Sequence, residues 1–328
     1  MARIPQSEAT AEEMLVQTPT SKKRKAEEEL KDTTPSKKCC LDNHEVQERK
    51  PRIILKSRRR SSPEVQKEKI RTDCGFGSVF AGTRIADEKD VAIKHIARDK
   101  VNYMMVKFQD QYSLEISEVV LMAQAAGHLN QGSVSNPGVI GLVDVFELEN
   151  EVLIITELSW CEMDMNHFYG FKNEQISEHE AKIIFKQLID VSVRMHKNGV
   201  FHSDIKGGNI LVSVDREDPS VKIIDFGCGD WVTEKPYETY FGPIPNAPPE
   251  FFLQYNYQAE QATVWQIGLV LWSYYCEGVF KLTDYIKNPN LPVNHLSHDG
   301  KDFLKRCLTI DPNQRSRLED LKLHPWLN

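Results

Sequence analysis

Residues 202–209 read HSDIKGGN, with the spacing H-x-D-x-K-x-x-N, and residues 225–227 read DFG at the end of a hydrophobic run. Transfer of a γ-phosphoryl group needs metal ligands, cations on the phosphates and a carboxylate that accepts the proton of the attacking hydroxyl. The two motifs contain residues able to provide each of these groups, and they follow one another along the chain. Together they predict a site for phosphoryl transfer.

Each polar residue of the two motifs has a predicted role. We expect Asp204 to act as the base and Lys206 to stabilise the transferred phosphate. Asn209, the third predicted catalytic residue, and Asp225 are the expected magnesium ligands, and His202 would brace the loop. Asp and Asn also favour turns for structural reasons, so the prediction depends on both motifs occurring together.

A lysine upstream completes the expected constellation. Lys94 ends the run VAIK at residues 91–94, the position of a phosphate-binding lysine on a third strand. Its expected partner is Glu118 rather than Glu115, because Glu118 adjoins an inward apolar face. For either glutamate the alternative is a solvent-exposed helix charge.

Hydrophobic periodicity predicts a strand-rich first half and a helical second half. Helices are predicted over about 112–126 and 261–275. Ser177 with Glu180 forms a capping-box pattern that begins a helix running to Asn198 and stopped by Gly199. The strand-like runs are 78–80, 91–96, 152–155, 209–212 and 221–226.

The first 65 residues differ from the rest of the chain. Residues 1–62 contain no aromatic residue, so we predict a disordered basic tail over 1–65 and one globular domain over 66–328. Residues 1–70 hold 17 Lys/Arg against 12 Asp/Glu, a net of +5, which leaves −12 for the remainder. The basic clusters at 22–25 and 56–60 could serve nuclear import or anion binding, or could simply be solvated.

The composition also bears on the compartment of the cell. The sequence contains neither a long apolar run nor the apolar core of a signal peptide, so we expect no membrane association and a cytoplasmic or nuclear location, or both. Its seven cysteines include no C-x-x-C pair, which favours reduced thiols.

Several further stretches are similar to the Pim family of serine/threonine protein kinases, over essentially all of residues 66–328. The similar stretches are GFGSV at 75–79, AIKH at 92–95, EVVL at 118–121, GVI at 138–140, PPE at 248–250 and HPW at 324–326. The resemblance implies an α+β bilobal kinase fold. A small β-sheet lobe with one main helix would span 66–158, and a larger, mainly helical lobe would span 159–328.

The same resemblance implies a nucleotide site for ATP and Mg²⁺ between the lobes. Residues 156–160 would form the hinge, with Thr156 as gatekeeper, and Asp164 would lie at the ribose and substrate edge. Glu250 would pair with Arg315 inside the larger lobe. The expected nucleotide-binding residues are Cys74, Gly75, Gly77, Val79, Ala92, Lys94, Glu118, Glu157, Asp164, Leu211 and Asp225.

The chain departs from the kinase pattern around this core. Thr72 and Cys74 replace two glycines of G-x-G-x-x-G, which predicts weaker ATP binding because glycine lets the backbone approach phosphate closely. Pro243 replaces a threonine expected to bond the base and its lysine. Thr263 replaces an aspartate two residues before Trp265, and both changes predict a weakened scaffold around the base.

Two other departures concern regulation and substrate. Ser203 replaces the arginine that grips a phosphorylated activation loop, so we predict activity without activation-loop phosphorylation. Gly207 and Gly208 replace residues that are acidic in the Pim family, which makes the expected preference for basic substrates less sharp. The loop residues available for phosphorylation are Thr233, Tyr237, Thr239 and Tyr240.

These observations predict an ATP-dependent serine/threonine protein kinase that acts on basic protein segments. We expect a monomer whose kinase domain binds no nucleic acid. The alternatives are a Pim-like pseudokinase that acts as an interaction scaffold, a small-molecule phosphotransferase of the same fold, and nucleic-acid association through the tail. The second alternative is disfavoured by the PPE stretch and Arg315.

Overall fold

The structure is a computed structural model, and it describes residues 68–74, 77–85, 87–108, 111–130, 132–214, 218–276, 278–289, 293 and 295–328. The predicted tail over 1–65 and Gly75 lie outside the described residues. Among the residues that it does describe, the cysteines Cys161, Cys228, Cys276 and Cys307 are free thiols.

A five-stranded antiparallel sheet forms the small lobe, in the order β1-β2-β3-β7-β6. Successive side chains of a strand point to opposite faces of the sheet. On β3, Val91 and Ile93 therefore pack into one apolar cluster, while Ala92 and Lys94 face the other side. The strands are β1 (Glu68–Cys74), β2 (Gly77–Arg84), β3 (Lys89–Ala97), β6 (Leu142–Glu147) and β7 (Glu151–Glu157).

A hairpin and one helix follow β3. The hairpin pairs β4 (Tyr103–Phe108) with β5 (Gln111–Ile116), and helix α1 spans Ser117–Ala125. The prediction of a helix from residue 112 was wrong over residues 112–116. These residues pair with the strand before them, as in the pair Met105 and Leu114, and this pairing overrides the local helical pattern.

The predicted capping box is present in the large lobe. Ser177 Oγ accepts a hydrogen bond from Glu180 N at 3.2 Å, and Ser177 N donates to Glu180 Oε2 at 3.1 Å. The box begins helix α3 (Glu178–Lys197), which buries its apolar face in the core of the lobe. This lobe also contains β8 (Glu162–Asp164) and α2 (Met165–Phe171).

The remaining elements surround α3 and a second long helix, α5. Strands β8, β10 and β11 form a small sheet in the order β11-β10-β8, and β9 pairs with β12. Helix α5 is buried along most of its length. No helix within the described ranges is long and apolar enough to cross a membrane. The elements are β9 (Val200–Phe201), β10 (Ile210–Ser213), β11 (Val221–Ile223), β12 (Asp230–Trp231), α4 (Pro249–Gln254), α5 (Ala259–Tyr275), α6 (Leu282–Lys287), α7 (His298–Cys307) and α8 (Leu318–Lys322).

The expected ion pair between Glu250 and Arg315 is present and fully buried, with side-chain exposures of 1% and 0%. Two parallel bonds of 2.8 and 2.7 Å join the guanidinium to the carboxylate. The other guanidinium N–H groups donate to the carbonyl oxygens of Gln261, Thr309 and Ile310. A buried charge is tolerated only when paired and hydrogen-bonded, so this network constrains α4, α5 and the segment before α8 together.

We predict that Arg315→Met destabilises the protein by about 3–5 kcal/mol, because it leaves the Glu250 carboxylate buried and unpaired. Arg317→Met is the matched control, since Arg317 is 71% exposed and lies 3.3 Å from Glu260. Its cost should stay below about 1 kcal/mol. Urea denaturation followed by circular dichroism measures both values, and equal losses in the two variants would contradict the prediction.

Candidate active site

A cavity of about 310 Å³ lies between the lobes. Its lining includes Thr156 and the rest of the predicted hinge segment 156–160. A mostly apolar cavity with a few convergent polar groups is the usual form of a small-molecule site. Eight of the predicted nucleotide-binding residues line it, namely Val79, Ala92, Lys94, Glu118, Glu157, Asp164, Leu211 and Asp225.

Lys94 lies between two carboxylates at the inner end of the cavity. Its Nζ is 2.7 and 2.9 Å from the two carboxylate oxygens of Glu118 and 2.7 Å from Asp225 Oδ1. Burial opposes the charge on Lys94, but the two carboxylates outweigh it and raise the pKa of the ammonium. Burial likewise opposes ionisation of Asp225, yet Lys94 holds the pKa of Asp225 below its ordinary value. The structure thus brings β3, α1 and the DFG motif to one point.

The sequence preference for Glu118 over Glu115 matches this geometry. Glu118 lies in the first turn of α1 and is buried, whereas Glu115 lies on β5 opposite Met104. Burial raises the pKa of Glu118, an effect that Lys94 partly offsets.

A second cluster surrounds Asp204. Its Oδ2 accepts hydrogen bonds from Lys206 Nζ at 2.6 Å and from Asn209 Nδ2 at 3.0 Å. Its buried Oδ1 has no hydrogen-bond partner among the described residues. Burial raises the pKa of Asp204, and Lys206 partly offsets the rise. The three predicted catalytic residues are therefore in direct contact, with one carboxylate oxygen left as an acceptor.

His202 joins this loop to the DFG motif. Its Nδ1 accepts from Asp204 N at 3.2 Å, so its Nε2 carries the hydrogen and donates to Ile224 O at 3.0 Å. Burial lowers the pKa of His202, which favours this neutral form. The imidazole also packs edge-on against Phe226 at a ring distance of 4.8 Å. His202 thus braces the loop, as predicted.

Both motifs contain a non-glycine residue in the left-handed backbone region. Ser203 has a φ of 65° and Asp225 has a φ of 68°. Such conformations cost of order 1–3 kcal/mol each and persist where the surrounding structure holds them, often at functional sites. The residue before the predicted base, and the predicted metal ligand Asp225 itself, are therefore under local constraint.

The residues present fit a nucleotide with magnesium. Both Asn209 Nδ2 bonds go to Asp204, so Asn209 Oδ1 remains the atom able to bind a metal. Mg²⁺ commonly uses one or two carboxylates together with substrate phosphates, not a cage made only of protein ligands. In keeping with this, the described part of the chain has no group of three or more His, Cys, Asp or Glu that could hold a metal.

Gly77 of the predicted glycine-rich loop does not line this cavity. Gly77 lines a separate groove on the small lobe, together with Ser78 and His95. A Cβ on Gly77 would lie 1.9 Å from His95 O, so close packing of β2 on β3 already requires glycine there. Gly75 lies outside the described residues, and Cys74 ends β1 without a described side chain.

Two carboxylates of the cavity wall have partners within the protein. Asp164 Oδ1 caps α2 by accepting from Asn166 N and His167 N, and its Oδ2 lies 2.6 Å from His167 Nδ1. Glu157 Oε1 accepts from Gly141 N at 2.9 Å and lies 3.0 Å from Lys222 Nζ. Both side chains therefore shape the cavity wall and the hinge.

Sequence reasoning missed one residue beneath the Asp204 loop. Gln266, on α5, is fully buried, and its Oε1 accepts from Ile205 N at 3.0 Å. Its Nε2 donates to Ser203 O at 2.8 Å and to Tyr240 Oη at 2.9 Å. Thr263, at the expected aspartate position, donates to Ala259 O instead. A glutamine within the otherwise apolar run of residues 264–272 was the available signal.

Comparison with known proteins agrees with this geometry. The family described as "Protein kinase domain" matches residues 73–327. The chain is 33% identical over 257 residues to the serine/threonine-protein kinase pim-2 of Danio rerio, an alignment that covers 77% of this chain and 81% of that protein.

Two other relatives are matched over less of their own length. Serine/threonine-protein kinase 1 of African swine fever virus is 34% identical over 194 residues, or 58% of this chain and 63% of the viral protein. Serine/threonine-protein kinase prk-2 of Caenorhabditis elegans is 30% identical over 263 residues, or 77% of this chain and 56% of that protein. The family match and the pim-2 similarity confirm the α+β bilobal fold and the predicted family. The chain belongs to the protein kinase family and is a Pim-like, ATP-dependent serine/threonine protein kinase.

Proposed function

We propose that this kinase is catalytically active and transfers the γ-phosphate of ATP to Ser or Thr hydroxyls in basic protein segments, without activation-loop phosphorylation. The contact of Lys94 with both Glu118 and Asp225 carries the proposal, because it joins the expected phosphate-binding cation to the expected metal ligand. The scaffold alternative needs none of these contacts.

The proposed phosphoryl transfer uses both the cluster around Lys94 and the cluster around Asp204. Lys94 would contact the phosphates at the inner end of the cavity, with Glu118 holding its ammonium in place. Asp204 Oδ1, which has no hydrogen-bond partner in the described part of the chain, would accept the hydrogen of the substrate hydroxyl. Lys206, 2.6 Å from Asp204, lies where it could stabilise the transferred group. Magnesium held by Asn209 and Asp225 would neutralise charge on the phosphates.

We predict that Asp204→Asn lowers kcat by about 10²–10⁴-fold, the range expected when a general base is removed. The measurement is magnesium-dependent transfer of phosphate from ATP to a serine peptide. Asp99→Asn, at an exposed aspartate, is the control and should leave kcat unchanged. The thermal shift caused by ATP with magnesium should persist in Asp204→Asn. If wild type and Asp204→Asn are equally inert and ATP gives no shift, the scaffold alternative replaces this proposal.

The proposed independence from activation-loop phosphorylation has support in the segment after the DFG motif. Tyr237 and Tyr257 exchange two backbone hydrogen bonds of 2.8 and 3.0 Å, and their rings stack at 5.4 Å. Tyr257 Oη donates to Thr239 O at 3.0 Å, and Phe201 packs against both tyrosines. Aromatic packing and backbone bonds therefore hold this segment without a phosphate.

We expect complete phosphatase treatment, verified by mass spectrometry, to change kcat/KM by less than about 2-fold, because no arginine follows His202 to bind a loop phosphate. The double variant Thr233→Ala, Thr239→Ala should behave in the same way. Loss of activity on dephosphorylation, with recovery after rephosphorylation of one loop residue, would contradict this expectation.

The proposed preference for basic segments rests on charge. Residues 71–328 carry a net charge of −12, and Glu234 and Glu238 are exposed on the segment after the DFG motif. A side chain at Gly207 would require Tyr274 and Asn166 to move, because a Cβ there would lie 2.2 Å from Tyr274 Oη and 2.4 Å from Asn166 Oδ1. Position 207 carries no acidic side chain, so the preference would depend on the wider acidic surface.

Matched peptides that differ only in Arg or Ala before the serine test this preference. We expect kcat/KM to be about 10-fold higher for the arginine peptide at low salt, with the ratio falling as salt screens exposed charges. A ratio near one, or a ratio that does not respond to salt, would rule out recognition through the acidic surface.

A further inference from the structure

We propose that Gln266 is a positioning residue for the catalytic loop, which holds the peptide groups on both sides of Asp204 and links them to Tyr240 of the segment after the DFG motif. The activity measurements that test this role rest on the proposed catalytic function. The hydrogen-exchange measurement rests on the structure alone.

The amide of Gln266 makes three hydrogen bonds, which use both Nε2 hydrogens and the oxygen Oε1. Ile205 N is a donor, so the atom facing it at 3.0 Å must be the oxygen Oε1. Ser203 O is an acceptor, so the atom facing it at 2.8 Å must be Nε2. The second Nε2 hydrogen goes to Tyr240 Oη at 2.9 Å. The orientation of the amide is therefore fixed by its partners.

These bonds flank the predicted base. Ser203 O and Ile205 N belong to the residues on either side of Asp204, and Ser203 has the left-handed φ of 65°. A strained residue keeps its conformation only while its neighbours hold it. Without the Gln266 amide, the backbone at Ser203 would lose a bond that helps to set the position of Asp204.

The third bond connects this backbone to the segment after the DFG motif. Tyr240 is buried, and Gly242 approaches the same point so closely that a Cβ there would lie 2.7 Å from both Ser203 O and Tyr240 Oη. A movement of Tyr240 would break the bond to Gln266 and would change the environment of Ser203. The placement of this segment and of Asp204 is therefore coupled through one side chain.

Gln266→Met keeps the length of the side chain and removes all three bonds. We expect kcat to fall by about 10-fold or more, since a small misplacement of a catalytic group can cost on the order of 10²-fold. KM for ATP should change by less than about 3-fold, because the hydrogen bonds that join Lys94 to Glu118 and Asp225 do not involve Gln266.

Gln187 on α3 provides a matched control. Its Oε1 accepts from Val221 N at 3.2 Å and its Nε2 donates to Pro219 O at 2.7 Å, so it also bridges peptide groups. Gln187→Met should retain kcat within about 2-fold even if it loses stability, because these bonds lie outside the catalytic loop. Equal losses of kcat in Gln266→Met and Gln187→Met would overturn the proposal.

Tyr240→Phe tests the link if Gln266→Met does not fold. We expect kcat to fall by about 5-fold, the size expected for one buried neutral hydrogen bond. Where both variants fold, the double variant should be no worse than Gln266→Met alone, because both substitutions break one network. An unchanged kcat in Tyr240→Phe, or losses that multiply in the double variant, would overturn the link.

Hydrogen exchange separates this inference from the proposed function. In Gln266→Met the amides of residues 203–206 should exchange faster, whereas those of β3 and α1 should not, because only the former depend on the bonds of Gln266. This readout applies even if the wild type shows no activity, an outcome that would reject the proposed function alone. Unchanged exchange at residues 203–206 would overturn the positioning role.

Discussion

One ammonium group between two carboxylates determines how the small and large lobes meet. Lys94 on β3, Glu118 on α1 and Asp225 at the DFG motif are each about nine-tenths buried, and bonds of 2.7 to 2.9 Å join them. A buried charge without a partner is costly, so none of the three elements can leave this arrangement without exposing or orphaning an ion. The cavity forms above this contact, and Val79, Ala92 and Leu211 supply its apolar walls.

The catalytic loop has a separate support beneath it. His202 packs on Phe226 and bonds to Ile224, while Gln266 bonds to the backbone on both sides of Asp204. Thr263 had suggested a weakened scaffold, but an amide three residues further along α5 makes bonds to the same loop. The catalytic loop therefore keeps hydrogen bonds to its backbone although Thr263 replaces the expected aspartate, because Gln266 makes them.

Local patterns predicted those features whose cause is local. The capping box of α3 depends on residues three apart, and the burial of Glu118 follows from the apolar residues next to it. The error over residues 112–116 has the opposite cause, because a strand is stabilised by a partner that its own sequence does not specify. Gln266 was missed for a related reason, since its three partners lie 26 to 63 residues away along the chain.

The sequence by itself determined the chemical inventory of this protein. The motifs at 202–209 and 225–227, with Lys94 and Glu118, specify two lysines, two aspartates, an asparagine and a glutamate in an order that indicates phosphoryl transfer. Only the tertiary structure decided which groups touch, because contact between distant residues depends on how β3, α1 and α5 pack. Packing left Asp204 Oδ1 without a partner among the described residues, used Asp164 to cap α2, and placed the side chains of Tyr274 and Asn166 beside Gly207. Each outcome depends on distances between elements that no local pattern contains.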